Sequence, residues 1–234
     1  MLPYRFRWVH CQLEVLCHSF PSSVRRILAE LPESLDGTYE WILQQLPKSE
    51  RQHTHRLLQC LAMAVRPLRL EEFAEVLTVD FSEGVGVPKL DEGLRWRWED
   101  QEQAVLWACS SLITVVEGRG RDGNTVHFSH FSVKEFLTSD RLSASTTDGL
   151  RYHHIRLGPA HMIMAQACLS VLLHLTNDMN LRTIQSYHLA QYAGKHFHNH
   201  ANFVDVLSRI IDGVDDLLDP GFHNVAQCAL TSQP

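Results

Sequence analysis

Between Glu99 and Leu137 the sequence reads as helix, strand, tight loop, strand and helix. Val105, Leu106, Cys109 and Leu112 recur at the spacing of one helix face over Glu99 to Ser111. Leu112 to Val116 is β-branched and apolar, and Thr125 to Phe128 is its expected partner strand. The glycine-rich run GRGRDGN, residues 118–124, lies between them and reads as a hairpin loop. Ser132 and Glu135 then form Ser-x-x-Glu, the signature of a capping box, ahead of the helix VKEFLTS. Helices that end in a two-stranded hairpin are the plan of a winged helix.

A chain of 234 residues buries one large core or two small ones. Its 44% hydrophobic and 21% charged residues are those of an ordinary globular protein rather than a disordered tail. With 21 Lys and Arg against 27 Asp and Glu the net charge is -6, so no global positive field recruits nucleic acid or anionic lipid. The six cysteines are scattered, without a C-x-x-C pair, and read as small buried hydrophobes of a reducing compartment. Polar residues from Arg5 to His18 interrupt any secretion signal. Ala160 to Leu175, the most apolar stretch, is short for a bilayer and carries Gln166, Ser170 and His174 as a polar stripe. A cytoplasmic protein without a membrane partner is the expectation.

In chain order, Phe6, Val9, Leu13 and Leu16 share one helix face, ended by Phe20 and Pro21. Such an apolar start predicts an exposed patch on which something else packs. Ser22 or Ser23 caps a second helix with Val24, Ile27, Leu28 and Leu31 inward, and Leu35, Tyr39, Ile42, Leu43 and Leu46 mark a third. A helix over Ser49 to Val65 follows, then the extended piece Leu68 to Leu70, then a helix over Glu71 to Val79 with two carboxylates in its first turn. Residues 80–98 form a long irregular loop, with Trp96 and Trp98 packing down its end. Leu142 to Gly149 is small and polar and is the best boundary in the chain. Helices are expected over Ala160 to Leu175, with Pro159 at its start, and over Tyr187 to Asn199. A last helix places Val204, Leu207, Ile211, Val214 and Leu218 on one face and acidic residues opposite.

Five ordered blocks carry a family resemblance: RWVHCQLEVL, ELPESLDGTYEWIL, HRLLQCLAMAVRPLRLEEFAEVL, WACSSLITVVE and VHFSHFSVKEFLTS. They resemble the region that follows the nucleotidase core in fungal NACHT-type STAND proteins, the NLR-like signal-transduction NTPases. YAGKHFHNHANF and DLLDP resemble the helical linker that precedes ankyrin-type repeats in that family. Its winged-helix piece is also known from sequences labelled as the winged helix of GPI inositol-deacylase, a label that implies no activity where no G-x-S-x-G elbow occurs. The resemblance implies that His130 matches a histidine that touches the ADP phosphate and holds the closed state when an NTPase core is present. Glu135, Phe136 and Leu137 follow at the family's offsets, while Phe131 stands where the family has Asp.

The remaining candidates fail on chemistry. GRGRDGNT has a phosphate-loop skeleton, but Asn124 takes the place of the Lys, and the loop joins strand to strand rather than strand to helix. Arg119 and Arg121 at a wing tip suit DNA, whereas the helix that would read the groove opens with Glu99, Asp100 and Glu102 and has no Lys or Arg to Ser111. His196 and His200 form an i, i+4 pair without a third ligand. His53 with His55, His153 with His154, and Ser110, Ser111 and Ser129 have no partner at catalytic spacing. Cys60 and Cys109 lie on apolar faces that disfavour a thiolate.

The sequence therefore predicts a mainly α protein in three parts: an N-terminal helical unit over 1–47, a winged-helix domain with one small antiparallel hairpin over 48–142, and a C-terminal helical extension over 150–234. No catalytic residue, metal site or cofactor is expected, His130 being the single nucleotide-contact candidate. The resemblance implies a non-catalytic regulatory module whose partner is a protein, a NACHT-type core or a repeat domain, in cis or in trans. A winged-helix DNA-binding protein, or a truncated gene product without function of its own, are the alternatives.

Overall fold

The computed structural model describes residues 9, 13, 20–25, 32–81, 88–90, 101–118, 123–175 and 179–218. Val9 and Leu13 are helical and 44% and 54% exposed, whereas Phe6, Trp8 and Leu16 lie outside the described residues. Pro21–Ser23 is a single 3₁₀ turn leading into helical Val24 and Arg25; the rest of that predicted helix is likewise outside.

Helix α1, Leu35–Gln45, begins where Ser34 caps it: the Gly37 N–H donates to Ser34 Oγ at 3.1 Å, and Asp36 lies in the first turn. It buries Tyr39, Ile42 and Leu43 and ends as Leu46 turns extended before Pro47. Helix α2, Arg51–Met63, buries Leu57, Leu58, Cys60 and Leu61. Strand β1, Leu68–Arg69, leads into α3, Leu70–Glu75, and a 3₁₀ turn over Val76–Thr78. Helix α4, Gln101–Cys109, runs into strand β4, Ile113–Val116, which pairs antiparallel with β5, Thr125–Phe128, Val115 opposite Val126.

Two features of the sheets exceed the sequence reading. The hairpin gains β1 as a third strand in the order β1-β5-β4, with Leu68 opposite Val126. Within the segment read as an irregular loop, Val79–Asp80 (β2) pairs with Lys89–Leu90 (β3); Trp96 and Trp98 are outside the described residues. The wing closes tightly. A Cβ on Gly118 would fall 1.9 Å from the Gly123 carbonyl oxygen, and Gly123 has φ +66, so both positions require glycine. Arg119 and Arg121 lie outside the described residues.

Helix α5, Phe131–Leu137, is capped by His130 rather than by the predicted Ser132. The expected capping box fails by register, because Ser132 already sits inside the first turn with its hydroxyl turned to Tyr39. Within the polar stretch that follows, Asp140–Ser143 (α6) and Asp148–Arg151 (α7) are short helices that bury Leu142 and Leu150 in the main core. Arg141 reaches back from α6 to Asp36 and Glu40 of α1.

Helix α8, Leu157–His174, is the central element, packed against α2 and the helices that follow. By length and composition it could cross a membrane, yet Ala160, Met164, Ala167, Cys168 and Val171 are all within the protein core. Its polar residues Gln166 and Ser170 are buried too. Leu181–Gln185 (α9) precedes α10, Leu189–Ala201, which lies along α8 and buries Leu189, Tyr192 and Ala193. One apolar cluster runs unbroken from Tyr39 to Ala193.

Beyond α10 the predicted helix face is corrected. Asp205 at φ 62 and a 3₁₀ turn over Leu207–Arg209 shift the phase before α11, Ile211–Leu218. Val206 and Ile210 go inward against Ala165 and Leu169, while Val204 is left 75% exposed and Leu207, Ile211 and Leu218 face solvent.

Candidate functional site

His130 sits at the junction of β5 and α5 in extended backbone, half-buried, with its ring 4.2 Å from that of Phe131. Its Nδ1 accepts from the Ser132 N–H at 3.3 Å and pairs with Ser132 Oγ at 2.6 Å. Ser132 Oγ is in turn 2.8 Å from the Tyr39 hydroxyl, which is buried in α1. An Nδ1 that accepts from a backbone amide carries its proton on Nε2. Tyr39 O–H, Ser132 O–H and His130 Nδ1 then form one directed chain, which orients the ring. Phe131 beside it is 53% exposed.

This geometry gives a prediction that needs no ligand. His130→Ala removes the cap and leaves the Ser132 hydroxyl proton without its acceptor, so about 1 kcal/mol of stability should be lost, while His130→Asn keeps the cap and most of that stability. Urea unfolding of both variants checks this, and equal stability of Ala and Asn would show that the cap contributes nothing.

The helix before the hairpin, α4, is not the face of a groove reader. It has no Lys or Arg from Gln101 to Cys109 and exposes Trp107 at 55%. Its opposite side is buried through Val105, Ala108 and Cys109, and Thr54 Oγ1 of α2 donates to the Ala108 carbonyl at 2.6 Å.

Buried polar groups join the winged-helix elements to the C-terminal helices. Glu72 in α3 is fully buried, and Arg66 Nη1 and Nη2 donate to its two oxygens at 2.8 Å each. The Arg69 N–H and Nε add two further bonds at 2.9 and 3.0 Å, and Arg69 Nη2 reaches Gln191 of α10. Burial pushes the Glu72 carboxyl up, but these bonds and the two guanidinium charges outweigh it and hold it below the usual carboxylate range. Glu75 Oε2 accepts the Leu189 N–H at the start of α10. Tyr192 Oη accepts the Val65 N–H at 3.0 Å and bonds His200 Nε2 at 2.9 Å, and His200 Nδ1 lies 3.1 Å from His161 Nδ1. Burial lowers His200 to about 4, helped by neighbouring His161, His196 and His198.

None of the other sequence candidates assembles into reactive chemistry among the described residues. Burial raises the Cys60 thiol to about 12 and pushes those of Cys109 and Cys168 up as well, the reverse of an activated nucleophile. His200 spends both ring nitrogens on Tyr192 and His161, while His196 packs on the Tyr192 ring, so the pair does not converge on a metal. Ser129 Oγ donates to the Ser111 carbonyl. No group of three or more His, Cys, Asp or Glu among the described residues could hold a metal ion. Sequence reasoning missed Tyr39, Ser132 and the Arg66–Glu72–Arg69 node. The node did leave a signal, because Arg66, Arg69 and Glu72 recur at intervals of three across the β1–α3 turn.

Comparison with known proteins agrees with the fold. A curated relative, the azaphilone pigments biosynthesis cluster protein L of Monascus ruber, is 30% identical over 179 residues, covering 74% of this chain and 36% of the relative. The chain thus spans about a third of the length of the curated relative it matches. No solved structure matches. Residues 43–147 match the family model described as GPI inositol-deacylase, winged helix domain. From the end of α1 through α6, therefore, the chain carries a winged helix domain similar to that of GPI inositol-deacylase.

Proposed function

We propose that this chain is a non-catalytic regulatory module of a STAND-type signalling protein, acting through protein contacts with a NACHT-type nucleotide-binding core in the cytoplasm. The observation that carries this reading is the surface of α4. In a winged helix that reads DNA, this helix supplies the basic residues; here it offers an exposed Trp107 and no Lys or Arg, a surface that suits a protein partner. The buried node at Glu72 and the Glu75–Leu189 bond support the same reading, since a movement of the winged helix would carry α10 with it. His130, as the family likeness implies, would meet a nucleotide phosphate supplied by the partner.

The test is a pull-down of the purified chain with a NACHT-type core from the same organism, with ADP, ATP or neither. Nucleotide-dependent capture is expected, reduced roughly tenfold or more by Trp107→Ala and losing its nucleotide dependence in His130→Ala. A folded chain that captures no core under any nucleotide, or that binds duplex DNA in a salt-dependent way with Trp107→Ala inert, overturns the proposal.

A further inference from the structure

Where α2, α8 and the turn after α10 meet, the structure forms an open-sided cavity of about 460 Å³. That volume is in the range of sites for small organic ligands, roughly 300–1,000 Å³. One wall is apolar, made by Met162 and Ile163 of α8 with Val204 and Val206 from the turn. The other is polar and comes largely from α2, through His55, Arg56 and Gln59, with Arg209 also in the lining.

Two observations mark this cavity as a built site rather than a packing fault. Gln59 is only 5% exposed, lines the space, and makes no hydrogen bond with a described residue. Its amide therefore depends on the space itself for a partner. In the lining, Asp205 is held at φ 62, the one described non-glycine residue in the left-handed region, a strain that concentrates at ligand clamps. The fixed charges of the lining are two guanidinium groups, Arg56 and Arg209, against the single carboxylate of Asp205.

We propose that this cavity binds a small organic acid, its apolar body against Met162 and Ile163 and its carboxylate taken by Arg56 and Arg209, with the Gln59 amide as a further donor. Guanidinium groups recognise carboxylates through paired hydrogen bonds, and the apolar wall selects an acid with an aromatic or branched body over acetate or formate. Because α2 belongs to the winged helix and Arg209 to the C-terminal helices, the bound acid would bridge the two. The inference stands independently of any nucleotide-binding partner.

The full chain would be titrated with phenylbutyrate, indole-3-acetate and benzoate, and with the corresponding amides, by thermal shift and saturation-transfer NMR. At least one acid should bind saturably below about 5 mM and raise the melting temperature, as a ligand specific for the folded state must, whereas its amide should bind roughly tenfold more weakly or not at all. Arg209→Gln should weaken the acid by a similar factor, and Met162→Trp, which fills the space, should abolish binding while the circular dichroism spectrum stays that of the parent. Equal binding of acid and amide, unchanged binding in Met162→Trp, or no saturable binding of any probe to the folded chain would each overturn the proposal, the last leaving ordered water as the occupant.

Discussion

The folded chain is expected to lose stability steeply between pH 6.5 and 4. His153 and His200 are both fully buried and both held at about 4, first by burial and then by neighbouring positive charge: His55 and Arg51 for His153, His161, His196 and His198 for His200. His55 is lowered to about 4 as well, by burial and the charges of His154 and Arg56. For a histidine lowered on folding, the unfolded chain takes up its proton first as the pH falls from about 6.5, so the unfolded state binds more protons across that window. Each such group then removes up to about 1.4 kcal/mol of stability per pH unit. Taken together, His153 and His200 remove about 3 kcal/mol per unit, so two units remove about 5–6 kcal/mol, the low end of the stability of an ordinary domain. At His200 geometry adds to burial, since protonating both rings would set one N–H against another across the 3.1 Å gap to His161. Urea midpoints at pH 7.5, 6 and 5 measure the slope. His153→Phe sharpens the test: neither of its ring nitrogens has a hydrogen-bond partner, so the substitution should stabilise at neutral pH and reduce the slope by one histidine's share. A midpoint that stays put between pH 7.5 and 5 would refute the account.

Glu72→Ala should be the most damaging single substitution in the winged-helix domain. The carboxylate is fully buried, and four hydrogen bonds from two arginines converge on it. Breaking a buried pair costs about 3–5 kcal/mol, because it strands a charge. Here the arginine side chains are 34% and 33% exposed, so water recovers part of the loss and about 3 kcal/mol is expected. The damage should spread to α10, because the same arginines touch it: Arg69 bonds Gln191, and Arg66 lies 5.0 Å over the Tyr192 ring. Faster hydrogen exchange from Leu189 to Ala193 would show that spread. A total loss below about 1 kcal/mol, the scale of an exposed pair such as Arg141 with Asp36, would contradict it.

What the sequence revealed and what it hid divide along physical lines. Local periodicity placed β5 at Thr125–Phe128 and put Tyr39, Ile42 and Leu43 on the inner face of α1, because burial there follows the helical repeat. The third strand was harder to see, since Leu68–Arg69 is held by a register to Thr125 and Val126 that no short window contains. Capping was misassigned at Ser132 because a histidine can cap as well as a serine, and Tyr39 had already claimed the serine hydroxyl. The last helix was read as continuous through Asp205, whose positive φ leaves no mark in a hydrophobic pattern, and the inward face moved from Val204 and Leu207 to Val206 and Ile210. As for the site, His130 was visible only through family likeness. The Gln59 cavity was invisible, because its walls come from positions more than a hundred residues apart.

That separation also bears on synthesis. The winged helix domain runs through α6, which ends at Ser143, but α2 and α3 rest on α8 and α10, which finish only at Ala201. A ribosome adding about 5–20 residues per second needs roughly 3–12 s to cross that interval. Throughout it, the apolar sides of α2 and α3 and the carboxylate of Glu75 await partners that have yet to emerge, so the nascent domain is a client for chaperones before it is a fold.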